Sequence, residues 1–256
     1  MNARSVSLLT PGAISFSAYL VADVAHEGLG HGGACLALGG RVLSLSTTFE
    51  DCSISSRLID GAGPVMGIAV ALLALAWLRL APPRGPGFRV FLCLVFAFAI
   101  FWNVGYLIKS GLTNSGDWHF VIRGLEPSAP WHAAIAVAGV VLYATFMRVL
   151  GTTMARALPA GDGPGMRPLT FALTAYLAAG VLSALAGLFD PRGPMVVFSD
   201  ALPSSLGAIG LVWAAYVLGR RLPEFRVAAP ASPGWIAAGL ASAAIFVAIL
   251  GPGIRS

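Results

Sequence analysis

Seven apolar stretches, near 13–38, 61–80, 88–109, 131–150, 168–188, 203–219 and 234–251, take up most of the sequence. Each approaches or exceeds the roughly 20 residues that a helix needs to cross bilayer hydrocarbon. In lipid the backbone must satisfy its own hydrogen bonds, which leaves helices and closed barrels as the only spanning forms. Lengths of this order predict an all-α polytopic membrane protein with about six to seven transmembrane helices. Only 11% of residues are charged, against about 25% in a soluble domain. Little chain is left for a soluble domain.

Lys and Arg number 16 against 11 Asp and Glu. In a soluble protein that balance would suggest nucleic acid. Here the basic residues sit singly or in pairs at span ends, as topology determinants and headgroup anchors, so membrane lipid is the partner implied and nucleic acid is not. If all seven spans cross, ten basic residues fall on one side, Arg4 plus three each in the second, fourth and sixth loops. Six fall on the other: Arg41, Arg57, Lys109, Arg123, Arg192 and Arg255. The bias puts the amino terminus in the cytoplasm. The first apolar run lacks a small-residue cleavage site and reads as a retained span rather than a signal peptide. A preference for Arg over Lys, with abundant Ala and Gly, suggests a GC-rich bacterial genome and hence a bacterial cytoplasmic membrane. Cys35, Cys52 and Cys93 define no disulfide framework; Cys35 and Cys93 read as small packing residues.

The first span contains "AHEGLGHGG", residues 25–33, and carries Asp23, His26, Glu27 and His31. A charged residue at mid-bilayer costs about 2.5–3.5 kcal/mol on insertion scales. Four such groups in nine residues require mutual hydrogen bonding, water or a metal. In H-E-x-x-H, two His four apart on one helix face hold zinc, and the Glu polarises the bound water. This chain has H-E-G-L-G-H, one residue longer. On an α-helix, residues four apart diverge by about 40° and residues five apart by about 140°, so His26 and His31 cannot share an ion on a regular helix. A π-bulge would restore them to one face, and Gly28 and Gly30 lower its steric cost. The competing geometry is a stripe of Asp23, Glu27 and His31, spaced by four, which could bind a metal, relay protons or pair with another span.

Elsewhere, alternation around Val42, Ser44 and Ser46 with the polar turn "FED" predicts a short β-hairpin over 42–56, at the interface or lining a cavity. "APPRGPG", 81–87, is a turn-rich connection, and "ALPAGDGPGMRP" is a loose stretch before the fifth span. "SGLTNSGDWHFVIRGLEPSAP", 110–130, is irregular and bears Asp117, Trp118 and His119. His132 after Trp131 reads as an interfacial anchor. Asp190 and Asp200 flank "PRGPMVVFS" as solvated loop carboxylates, within which "GPMVVF" could form a short re-entrant segment. Spans five to seven carry no recognisable chemistry.

"AHEGLGHGGACLALGGRV" resembles the first motif of site-2-protease-like intramembrane zinc metallopeptidases, and "GAGPVMGIAVALL", 61–73, is similar to the Gly-Pro opening of that family's next helix. "NVGYLIKSGLTNSGDW", 103–118, stands where the family's third helix leads to an Asp. The resemblance covers roughly residues 15–120. It departs from the family in the inserted motif residue, in the absence of Pro and Asp-Gly around Asp117, and in orientation, since the family usually sets its active site toward the cytosolic side whereas the Arg count places the carboxyl end of the first span outside. The six-residue His motif is shared with soluble zinc peptidases resembling dipeptidyl peptidase III.

The resemblance implies Zn2+ held by His26, His31 and Asp117, Glu27 as general base, and hydrolysis of peptide bonds in or near membrane-embedded substrate helices. His119 is an alternative third ligand. Asn103 would stabilise an oxyanion, hold a substrate strand or serve as a helix-packing amide, and Asp23 would orient the His26 ring. On this reading residues 1–130 form a metallopeptidase-like core of three spans, the hairpin and the Asp-bearing loop, and 131–256 add further transmembrane helices. The rival is a non-proteolytic transporter or inactive peptidase-like scaffold that uses the Asp23/Glu27/His31 stripe for ions or protons.

Overall fold

A computed structural model of the chain describes residues 7–83, 85–158 and 165–255. Arg4, Arg84 and residues 159–164 of the loose stretch before the fifth span lie outside the described residues. Among the described residues, six helices are long and apolar enough to cross a membrane, with mean hydropathies of 1.6 to 2.2. The chain is an all-α integral membrane protein with a small sheet at one end of the bundle.

The first helical rod runs without a break from α1 (Leu9–Asp23) through a π-helix (Val24–Gly32) into α2 (Gly33–Ala37). A hairpin, β1 (Val42–Leu45) and β2 (Glu50–Cys52), follows within the expected 42–56. Next come α3 (Arg57–Leu80), α4 (Pro86–Thr113), the short α5 (Asp117–Ile122), α6 (Ser128–Ala157) and α7 (Pro168–Gly187). The predicted sixth span begins earlier than expected. A π turn (Val197–Ala201) leads through α8 (Leu202–Leu206) to α9 (Ile209–Arg221), and these together form one span. The chain closes with α10 (Pro233–Ile245), a π turn (Phe246–Leu250) and β3 (Ile254–Arg255).

The core is built around α4. From Leu92 to Trp102 every residue is buried, as expected of a helix that is apolar all round and enclosed by its neighbours. Helices α1, α3 and α6 pack on it. On its other faces α1 meets α7 and α10, where polar groups pair: Ser15 donates to the Ala175 carbonyl at 2.6 Å, and the Ser17 hydroxyl lies 2.9 Å from that of Ser242.

The sheet order is β2-β1-β3, both pairings antiparallel. The hairpin pairs Leu45 with Glu50 and Ser44 with Asp51, with a bulge before Val42↔Cys52. The third strand, unforeseen from the sequence, sets Ile254 against Leu45 and Arg255 against Ser44. Two further expectations are corrected here. Cys35 forms a disulfide with Cys52, joining α2 to β2, and only Cys93 is a free, buried packing residue. Asp190 is not a solvated loop carboxylate. It is 4% exposed and accepts from Thr48 at 2.8 Å and from Arg192 at 3.0 Å, anchoring the hairpin turn. Burial pushes the Asp190 carboxyl up, but the hydrogen bonds from Arg192 and Thr48 outweigh it and hold the group below the usual carboxylate range. Asp200 lies 3.8 Å from the same guanidinium.

Candidate metal centre

The inserted residue of the His motif is absorbed by the π-helix at Val24–Gly32. Its i→i+5 register stacks residues five apart as an α-helix stacks residues four apart, and the Gly33 N–H accordingly reaches back to the Gly28 carbonyl. Both imidazoles therefore leave the rod on one side. His26 Nε2 and His31 Nε2 are 3.2 Å apart. Across from them, Asp117 Oδ2 is 3.1 Å from His26 Nε2, and its Oδ1 is 3.8 Å from His31 Nε2. Glu27 Oε1 stands 3.8 Å from His26 Nε2. His26, Glu27 and His31 are buried and offer ligand atoms that all lie within 4.8 Å of one another, a group that could hold a metal ion.

The other nitrogen of each ring is already used. His31 Nδ1 donates to the Ile59 carbonyl in the first turn of α3 at 2.7 Å, and His26 Nδ1 faces Asn103 Oδ1 at 2.6 Å. The orientation of Asn103 is fixed by its own amide nitrogen, which donates to the Ala99 carbonyl at 2.7 Å. Its oxygen must then face His26, so each ring carries a proton on Nδ1 and, when neutral, turns an unprotonated Nε2 inward. Two lone pairs facing each other at 3.2 Å beside a carboxylate repel unless a cation lies between them. A tetrahedral ion with bonds of about 2.0–2.1 Å sets its ligand atoms roughly 3.3 Å apart, close to the spacings found. Asp117 Oδ2 has no hydrogen-bond partner among the described residues.

Asp117 reaches the centre through a sharp reversal after α4. Asn114 closes that helix in the left-handed conformation, and Gly116 has φ +83°, where a side chain would be strained. The helix opposite is cut back to make room. A Cβ at Gly63 would overlap the His31 imidazole, one at Gly67 would overlap the Asn103 amide, and one at Gly30 would come within 2.5 Å of the Gly63 Cα. These glycines of "GAGPVMG" and the His motif let the π-helix and α3 touch at the cluster. Trp102 stacks on His26 with centroids 4.5 Å apart and Tyr106 lies at 6.1 Å. The sequence reading assigned these two aromatics no role.

Of the remaining expected residues, His119 does not join the cluster: it points to His132, with 3.2 Å between their ring nitrogens. His132 in turn contacts the Ser128 carbonyl at 3.1 Å. Burial, with His132 and Arg123 nearby, lowers the His119 pKa. Asp23 does not orient His26. The π register turns that ring away from the α-helical line and toward α4, where Asn103 takes the role, and Asp23 Oδ1 has no hydrogen-bond partner among the described residues. Asn103 is thus a partner of the His26 ring rather than a free oxyanion donor.

Comparison with protein-family models, with curated proteins and with solved structures finds no match to this chain. The geometry itself carries the functional reading.

Partners of ligating His rings typically contribute 10–100-fold to metal affinity. Asn103→Leu, which strands the His26 Nδ1–H in an apolar site, should weaken metal binding by about that factor. Competition against a chromophoric chelator measures it, and an unchanged dissociation constant would remove Asn103 from the centre.

Proposed function

We propose that the chain is a zinc-dependent intramembrane endopeptidase, as the site-2-protease-like resemblance implies, in a bacterial cytoplasmic membrane as its composition suggests. The observation that carries this reading is the convergence of the two Nε2 atoms, 3.2 Å apart, with Asp117 Oδ2 3.1 Å from that of His26. His26, His31 and Asp117 would hold the ion, two imidazoles and a carboxylate being a donor set suited to catalytic zinc with one position left open. When bound, zinc supplies Lewis acidity toward a water and a peptide carbonyl.

The remaining chemistry belongs to the chain. Glu27, beside the ligand atoms but with no role in holding the rings, takes the proton of the attacking water and returns it to the departing amide nitrogen. Asn103 and the Ile59 carbonyl keep both rings in the tautomer that faces inward. A substrate must present its scissile bond in extended form, and strand addition to a sheet edge achieves this. Because β3 occupies the second edge of β1, an incoming strand would add to an outer edge of the sheet, on β2 or on β3.

A second reading, a transporter or scaffold that handles ions or protons along Asp23, Glu27 and His31, draws on the unpartnered, buried Asp23 Oδ1. Metal analysis separates the two. Protein purified without chelator should carry about one zinc per chain, falling below about a tenth in His31→Ala. Folded protein that takes up no stoichiometric metal would sink the peptidase reading.

A further inference from the structure

Two features that the catalytic reading does not use say which side of the membrane the cluster faces. The first is charge. Among the described residues, the helix ends remote from the cluster and their loops carry eight arginines against one acidic residue, Glu224. Arg79, Arg89 and Arg156 converge from α3, α4 and α6 on a cavity of about 350 Å³ lined by no acid. Arg167, Arg220 and Arg226 line another such cavity. At the cluster's end six basic residues are matched by seven acidic ones, from Glu50 to Asp200, Asp117 of the cluster and the buried Asp190 included. Basic residues accumulate on cytoplasmic ends and their guanidinium groups suit the phosphates of that leaflet.

The second feature is the disulfide. Cys35 sits one turn beyond the π-helix and Cys52 at the end of β2, so the bond lies at the cluster's end of the bundle. Disulfides persist in oxidising compartments and are rare in the cytoplasm. Charge and redox chemistry thus point the same way. Across the bond, β1 lies against the π-helix: the positions where a Cβ would stand at Gly28 and Gly32 are 4.0 Å and 3.8 Å from Leu45 Cδ2 and Val42 Cγ2.

We propose that the cluster opens on the oxidising, non-cytoplasmic face of its membrane, with Cys35–Cys52 clipping the sheet to the first helix. Its substrates, on the peptidase reading on which this part rests, are peptide segments exposed on that face. Segments confined to the cytoplasmic face lie across the bilayer from the cluster, beyond the length of α3 and α4.

Full-length protein in a bacterial cytoplasmic membrane tests this. In a Cys93→Ala background, single cysteines replace Ser128, at the cluster's end, or Ala81, at the basic end; neither change alters the charge balance. A membrane-impermeant maleimide applied to intact spheroplasts should label Ser128→Cys at least tenfold more than Ala81→Cys, which should react only after lysis. The Cys93→Ala parent should stay unlabelled. The reverse pattern overturns the proposal. In native protein quenched in acid and alkylated, peptide mapping should recover Cys35 and Cys52 linked to each other, and recovery of both as alkylated thiols overturns the clip. Zinc content is read separately. An outward cluster without metal leaves the topology standing and removes the peptidase, whereas an inward cluster with a full complement of zinc does the converse.

Discussion

Glu27→Gln should leave zinc binding within about twofold of the native protein and lower peptide hydrolysis by about 10²- to 10⁴-fold, the usual contribution of a positioned general base. That is about 3–5 kcal/mol of barrier. The expectation follows from where the side chain stands. Its carboxylate lies beside the ligand atoms, 3.8 Å from His26 Nε2, while the rings themselves are held by Asn103 and Ile59. Gln has nearly the same shape and cannot accept the proton. Metal content by mass spectrometry and cleavage of a mixed peptide library in detergent give the two readouts. A variant that still turns over at the native rate excludes Glu27 as the base, and one that loses its zinc makes Glu27 a ligand.

The second large effect concerns a residue with no functional group. In Gly63→Val the new side chain occupies the place of the His31 ring. The overlap is with a packed imidazole and cannot be relieved by swinging a flexible chain end. Either His31 rotates away from His26 or the π-helix separates from α3, and both outcomes break the ligand set. Metal affinity should fall by more than 100-fold, about 2.8 kcal/mol, with helical content by circular dichroism unchanged. Gly33→Ala is the control on the same rod. Its Cβ would make only an ordinary contact, 3.9 Å from the Gly28 carbonyl, so it should keep its zinc and gain slightly in stability from the better helix former. Zinc binding by Gly63→Val at native affinity would mean that the α3 glycines are there for general helix packing alone.

The parts of this site that were legible in the sequence are those fixed by local geometry. An extra residue between two His is incompatible with a shared face on an α-helix, so the widened turn follows from spacing once the two rings are taken to converge. The hairpin follows from alternation, and the spans from length and apolarity. What escaped depends on which distant segments meet. Asn103 is chemically suited to an oxyanion, a strand or a ring, and only its contact with Ala99 and His26 decides among them. Asp190 looks like any loop carboxylate until the hairpin turn folds onto it. Cys35 and Cys52 are 17 residues apart, but their pairing depends on β2 folding back over the end of α2. The glycines of "GAGPVMG" were visible as small residues, yet nothing local says that one accommodates an imidazole and another an amide.

The third strand has a consequence for how the protein is made. His26, Glu27, His31 and Asp117 all belong to the first half of the polypeptide, whereas the strand that closes the sheet on β1 comes from Ile254 and Arg255. Synthesis proceeds from the amino end, so a growing chain holds all four cluster residues well before the neighbouring strand pairing can exist. Until the late helices insert and deliver that strand, both edges of the hairpin stay open, and the newborn protein is most exposed to pairing with the wrong partner, its own unfinished loops included.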